Sequence, residues 1–122
     1  MKITRFEDVE AWQAARELSK AVHAVTTKGD FSRNFALRDQ IGRASGSIMD
    51  NIAEGFDGGS SAEFVRFLIY AQRSCTEVKS QLYRAADRNL IDSKEFEHMY
   101  DLASVVHRKI GGFIRYLKNI RK

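Results

Sequence analysis

Phe96, Met99, Ala103, Val106, Ile110, Phe113, Leu117 and Ile120 follow one another at steps of 3, 4, 3, 4, 3, 4 and 3 residues. Only a helix returns side chains to one face at that spacing, so the C-terminal end of the chain must be one long amphipathic helix. Asp92-Ser93-Lys94-Glu95 opens it, with a carboxylate at the N-cap and a Glu three residues on to satisfy the orphan amides of the first turn. The spacing predicts a helix over 93–120.

The same rhythm recurs upstream. Phe64, Leu68, Ala71, Cys75, Val78, Leu82 and Ala85 alternate steps of four and three behind the capping sequence Ser60-Ser61-Ala62-Glu63, which predicts a helix over 61–89. Leu37, Ile41, Ala44 and Ile48 mark another over 33–55, ended by Gly55 as a left-handed C-cap, with Phe56-Asp57-Gly58-Gly59 as the joint. Ala11, Ala15, Leu18, Val22 and Val25 mark a first helix over 8–27, with Asp8 as its N-cap and Lys28-Gly29-Asp30 beyond its end. No stretch alternates convincingly at period two, and the 122 residues contain no proline to interrupt a helix. Four amphipathic helices on short joints bury their seams most simply as an all-α, antiparallel up-down four-helix bundle, a single domain over 1–122.

With 43% hydrophobic and 30% charged residues, the composition is that of a chain that folds. No run of about eighteen apolar residues marks a membrane span, and residues 1–8 lack the apolar stretch of a secretory signal. A single cysteine, Cys75, offers neither an intrachain disulfide nor a cysteine-based zinc site. The expected compartment is the cytoplasm, without membrane contact.

Apolar residues exceed what one seam needs. Val65, Phe67 and Ile69 flank the seam of the third helix, and a helix apolar nearly all round is buried nearly all round. Gly111-Gly112 inside the fourth helix costs about 1 kcal/mol per glycine relative to alanine, a cost that close approach of another backbone would offset. These five residues are the expected interface of a homo-oligomer.

Catalytic and metal constellations are not evident. Di-metal four-helix bundles need a Glu-x-x-His pair on each of two helices, and Glu95 with His98 supplies one pair without a second copy. His23 and His107 each follow a seam valine and read as flank residues. The glycines between Gly55 and Ser60 lack the Gly-Lys-Ser/Thr of a phosphate loop, and Asp57 would repel a phosphate. No enzyme activity, cofactor or metal is expected.

Charge is more informative. Residues 102–122 carry six of the 20 Lys and Arg and none of the 16 Asp and Glu. Arg108, Arg115 and Lys122 fall opposite the seam, Lys118 extends their stripe, and Lys109 and Arg121 flank the seam. Such a stripe can track a phosphate backbone, with Tyr116 within it to stack on a base. A cationic helix end that serves solubility or a protein contact is the competing reading. Glu54 is a second oddity, since an anion in the last turn of a helix opposes the macrodipole; a polar network of Arg43, Asn51 and Glu54, next to Gly55, would hold it.

Phe6-Glu7-Asp8-Val9 with Trp12 and Ala15, Gln40-Ile41 with Arg43-Ala44, and Ser47-Ile48 with Asn51-Ile52-Ala53-Glu54-Gly55-Phe56 form a recognisable series. It continues through Glu63-Phe64, Phe67-Leu68, Ala71, Ser74, Glu77 and Gln81-Leu82. The series resembles the bacterial four-helix bundle proteins called 23S rRNA intervening-sequence proteins, over nearly the whole chain. Met49 and Asp30-Phe31-Ser32 stand where members usually carry proline. The resemblance implies a four-helix protomer in a ring-like homopentamer with no enzyme activity. The accessory variability proteins of diversity-generating retroelements look like the same barrel and bind nucleic acid and a reverse transcriptase. RNA or DNA is therefore the first expected partner besides a second copy. A protein-binding scaffold or adaptor for a polymerase, reverse transcriptase or ribosomal component is the alternative.

Overall fold

Side chains cap three of the four long helices in the computed structural model, which describes residues 2–120. Asn34 accepts the Leu37 amide at the start of α2 (Phe35–Asp57), and Ser60 accepts the Glu63 amide at the start of α3 (Ser61–Asp87). At α4 (Ser93–Ile120) the box is reciprocal: the Glu95 amide donates to Asp92 Oδ1 at 2.8 Å, and the Asp92 amide donates to Glu95 Oε1 at 2.9 Å. Among the described residues there is no strand.

α1 (Glu10–Thr26) corrects the expected start at Asp8. The Asp8 carboxylate instead accepts the Thr4 amide and hydroxyl, at 3.1 and 3.2 Å, beside a 3-10 turn over Phe6–Asp8, and Val9 becomes the uncapped N-cap. The bond from the Thr4 amide holds the Asp8 carboxyl below its ordinary range. At the far end α1 buries Thr26 where Val25 was expected. A 3-10 turn over Gly29–Arg33 then carries Phe31 into the core, a residue assigned by sequence to the joint alone.

Gly55 is a second correction. α2 runs on to Asp57, and Gly55 sits buried inside it rather than capping it. A Cβ there would lie 2.8 Å from Phe67 Cβ and 2.9 Å from Phe64 Cδ1, so this glycine is a point of close approach to α3. The chain turns instead at Gly58 and Gly59, the latter at φ +89°. α3 ends two residues before the expected 89, at a left-handed Asn89 (φ 59°). The Leu90 amide reaches Ala85 O at 2.9 Å and the Asn89 amide reaches Ala86 O at 3.0 Å, the two bonds of a Schellman cap.

α1 packs on α2 and α4, and α3 packs on α2 and α4, the most extensive contact being between α2 and α3. Along α2 and α3, Gln40 meets Arg84, Ser47 meets Ser74 and Gly55 meets Phe67. Between α3 and α4, Tyr83 meets Phe96, Cys75 meets Ala103 and Gln72 lies beside Gly111. Every seam residue expected on α3 is buried. On α4 the buried line is Met99, Ala103, Val106, Ile110, Ile114 and Leu117, so the expected Phe96 and Phe113 are half-buried and Ile120 is exposed. A straight helix has about 3.6 residues per turn, and its buried line drifts off a strict 3.5-residue repeat. Val65 also corrects an expectation: at 6% exposure it belongs to the core of its own protomer, not to an interface.

Gly55→Ala should lower stability by about 1–3 kcal/mol, because the added methyl must displace Phe67 or Phe64. Gly46→Ala, with nothing within 4 Å of the new Cβ, should raise it by up to about 1 kcal/mol through helix propensity. Urea melts at one fixed protein concentration measure both.

Candidate nucleic-acid interface

An i, i+4, i+8 progression places Tyr100, Ser104 and Arg108 on one face of α4, and Gly111, Arg115 and Lys118 continue it. This face lies beside the buried line, next to α3. Arg108, Arg115 and Lys118 are exposed there, and none has a carboxylate within 4 Å among the described residues. Lys109 is different: its Nζ donates to Glu10 Oε1 of α1 at 3.0 Å, so this cation is tied to its own protomer. Arg121 and Lys122 lie outside the described residues.

Side chains of a helix lean toward its N-terminus, and Arg115 accordingly lies back over the glycine pair. Cβ atoms at Gly111 and Gly112 would sit 3.7 and 3.8 Å from its guanidinium nitrogens. The same Gly111 Cβ would be 3.4 Å from Gln72 Nε2 of α3. The glycines thus leave a shallow place in the groove between α3 and α4. Lys79 of α3 adds a cation to that groove, with Nζ 4.9 Å from the centre of the Tyr100 ring. Gln72 and Lys79 were missed by the sequence reading, and their only signal there is a position beside the α3 seam.

Tyr116 is 57% exposed. It meets Phe113 edge-on at 5.9 Å and lines one cavity with Ile3 and Glu10 and another with Ser61 and Phe64 at the start of α3. Phe67 and Ile69 are half-buried: Ile69 packs on the core, whereas Phe67 meets Tyr70 edge-on at 5.7 Å and carries Arg66 over its ring.

The expected Arg43, Asn51 and Glu54 network does not form among the described residues. Asn51 Nδ2 donates to Ser47 O at 2.9 Å and to Ser47 Oγ at 3.0 Å, and Ser47 shares a 3.1 Å hydroxyl bond with Ser74 of α3. Arg43 and Glu54 point outward from the flanks of α2. The partner of Asn51 is therefore the serine one turn back.

Among the described residues no group of three or more His, Cys, Asp or Glu is arranged to hold a metal ion. Glu95 of the Glu-x-x-His pair is engaged in the α4 cap. Cys75 is fully buried and donates to Ala103 O at 3.2 Å, and burial pushes its thiol up to about 11 from an ordinary 9.0. Among the described residues no helix is long and apolar enough to cross a membrane.

The family model described as 23S rRNA-intervening sequence protein matches residues 7–112. A crystal structure of a protein of unknown function from the S23 ribosomal protein family of Bacteroides thetaiotaomicron VPI-5482 is similar at a TM-score of 0.79 and 20% identity. The match covers 86% of this chain and 95% of that one, and at this identity it speaks for the fold alone. Comparison with curated proteins gives no match.

The buried thiol gives a test. A thiol whose folded value is raised stabilises the fold below its unfolded value and loses that contribution as pH climbs from 9 toward 11. At pH 8 a thiol reagent should therefore modify Cys75 only as fast as the bundle opens. Between pH 9 and 11 the native chain should lose about 2 kcal/mol more stability than Cys75→Ala. Rapid stoichiometric labelling of the native protein would contradict this placement.

Proposed function

The chain belongs to the 23S rRNA-intervening sequence protein family, and from that premise we propose that it is a non-enzymatic oligomer that binds RNA or another nucleic acid through α4. The observation that carries the reading is the exposed trio Arg108, Arg115 and Lys118, which have no carboxylate partner among the described residues, in a segment without a single acid after Asp101. Cations left unpaired on one helix face attract phosphates and release their counterions, a gain that needs no base-specific contact. Lys109 serves the α1–α4 contact, while Arg121 and Lys122 add positive charge to this end of the sequence.

The protomer in this reading is an antiparallel up-down bundle. The falling partner numbers along α2–α3 and α3–α4 support that order. Five protomers close into a ring. That assembly is what the resemblance implies, and Phe67 with Tyr70, standing outside the core cluster, supports an apolar contact of some kind. Ile69 remains its proposed neighbour, whereas Gly111 and Gly112, expected at the same interface, lie under Arg115 of their own protomer. The same aromatic pair, Tyr70 exposed and Phe67 half-buried, favours the second reading, a scaffold that holds a nucleic-acid-processing protein.

Salt separates the two. Binding to a structured RNA should weaken steeply between low and moderate salt. In a variant carrying Arg108→Ala, Arg115→Ala and Lys118→Ala, the slope of log K on log salt should fall by about one unit per lost phosphate contact, with the solution mass unchanged. A well-formed oligomer that binds no RNA at low salt would leave only the scaffold.

A further inference from the structure

We propose that the α3–α4 groove binds single-stranded nucleic acid, with Tyr83 as the platform on which a base stacks. This deepens the nucleic-acid reading and rests on it. The groove has two unlike halves. Toward the start of α4, the Tyr83 ring lies 5.0 Å from Phe96 and 5.8 Å from Tyr100, and Phe96 and Tyr100 stack at 5.4 Å with an interplanar angle of 24°. Phe96 and Tyr100 pack on the core, but Tyr83 is 53% exposed and contributes nothing to it. Two rings thus brace a third in a fixed orientation, with one side of it open to solvent. Beside it opens a cavity of about 410 Å³ lined by the Tyr83 and Phe96 rings, Ala86, Asn89, Ile91 and the exposed Asp92, whose carboxylate keeps phosphates out of this end.

Toward the end of α4 the groove changes character. Past Ser104 the groove holds the shallow place at Gly111, and the exposed face of α4 along its rim carries Arg108, Arg115 and Lys118, with Lys79 from α3 at the junction between the halves. From Tyr100 to Lys118 the face runs for about 27 Å at the helical rise. Glu97 and Asp101 stand exposed near the aromatic end, so the phosphate path is confined to the half after Ser104.

A braced ring that continues into a line of unpaired cations matches an unpaired strand, whose bases expose their faces while its phosphates run alongside. Duplex hides those faces in its own stack and would use only the cations. The class of ligand is therefore a phosphodiester strand with unpaired bases, RNA or DNA.

The test measures binding of the assembled protein to an unstructured RNA of about ten nucleotides, the DNA of the same sequence, and the RNA annealed to its complement. It uses the native chain, Tyr83→Ala, Tyr83→Phe and the double variant of Arg108→Ala with Arg115→Ala. A 2-aminopurine in the strand reports stacking. Either single strand should bind at least about tenfold tighter than duplex, and Tyr83→Ala should weaken that binding by about tenfold and abolish the 2-aminopurine quenching. The salt slope should survive Tyr83→Ala, and Tyr83→Phe should restore affinity and quenching. The double variant should lose salt slope instead. If duplex binds as well as single strand and Tyr83→Ala changes neither affinity nor quenching, the stacking proposal falls while the nucleic-acid reading stands. If the native oligomer binds none of the three, both fall together.

Discussion

The close approach of α2 to α3 at Gly55 is the constraint on which the rest of the structure depends. Without a side chain there, the backbone of α2 comes within reach of Phe67 Cβ and the Phe64 ring. The contact continues through Ser47 and Ser74 to the bond between Arg84 and Gln40. Small residues and short polar bonds fix how α3 is rotated. With that face of α3 turned to α2, its other flank must carry Gln72, Lys79 and Tyr83 along α4. The proposed groove is thus a consequence of packing on the opposite side of the same helix.

Helices were legible in the sequence because their signals are local. A seam needs only spacing, and a cap needs only residues three apart, which is why Ser93–Ile120 was placed correctly and Ser60 and Asp92 were recognised. What failed depended on other elements. Asp8 spends its carboxylate on Thr4, Phe31 enters the core from a turn, and Gly55 answers to two rings on another helix. Phe113 and Ile120 left the seam because a repeat of 3.5 had been extended too far along a helix of about 3.6.

The site was half legible. Its cations are visible as six basic residues with no acid among them, but counting does not show which are free. Lys109 is held by Glu10, a residue 99 positions away. Sequence offered Tyr116 as a stacking ring because it sits among the cations; the placement of Tyr83 and Lys79 at the other end of the stripe, on which the proposed stack rests, comes from the packing of α3. Arg43 and Glu54 erred the other way: a helix-end anion invited a partner, and the helix simply exposes it. Gln81 shows the same limit, since nothing in its spacing announces that it is buried between α3 and its neighbours.

Backbone amide exchange of the assembled protein, with and without saturating RNA, tests the central claim most directly. The account expects added protection in residues 72–83 and 100–118, on the facing flanks of α3 and α4, and none in residues 35–57 of α2. Protection confined to α2, or an exchange pattern unchanged by bound RNA, would contradict it.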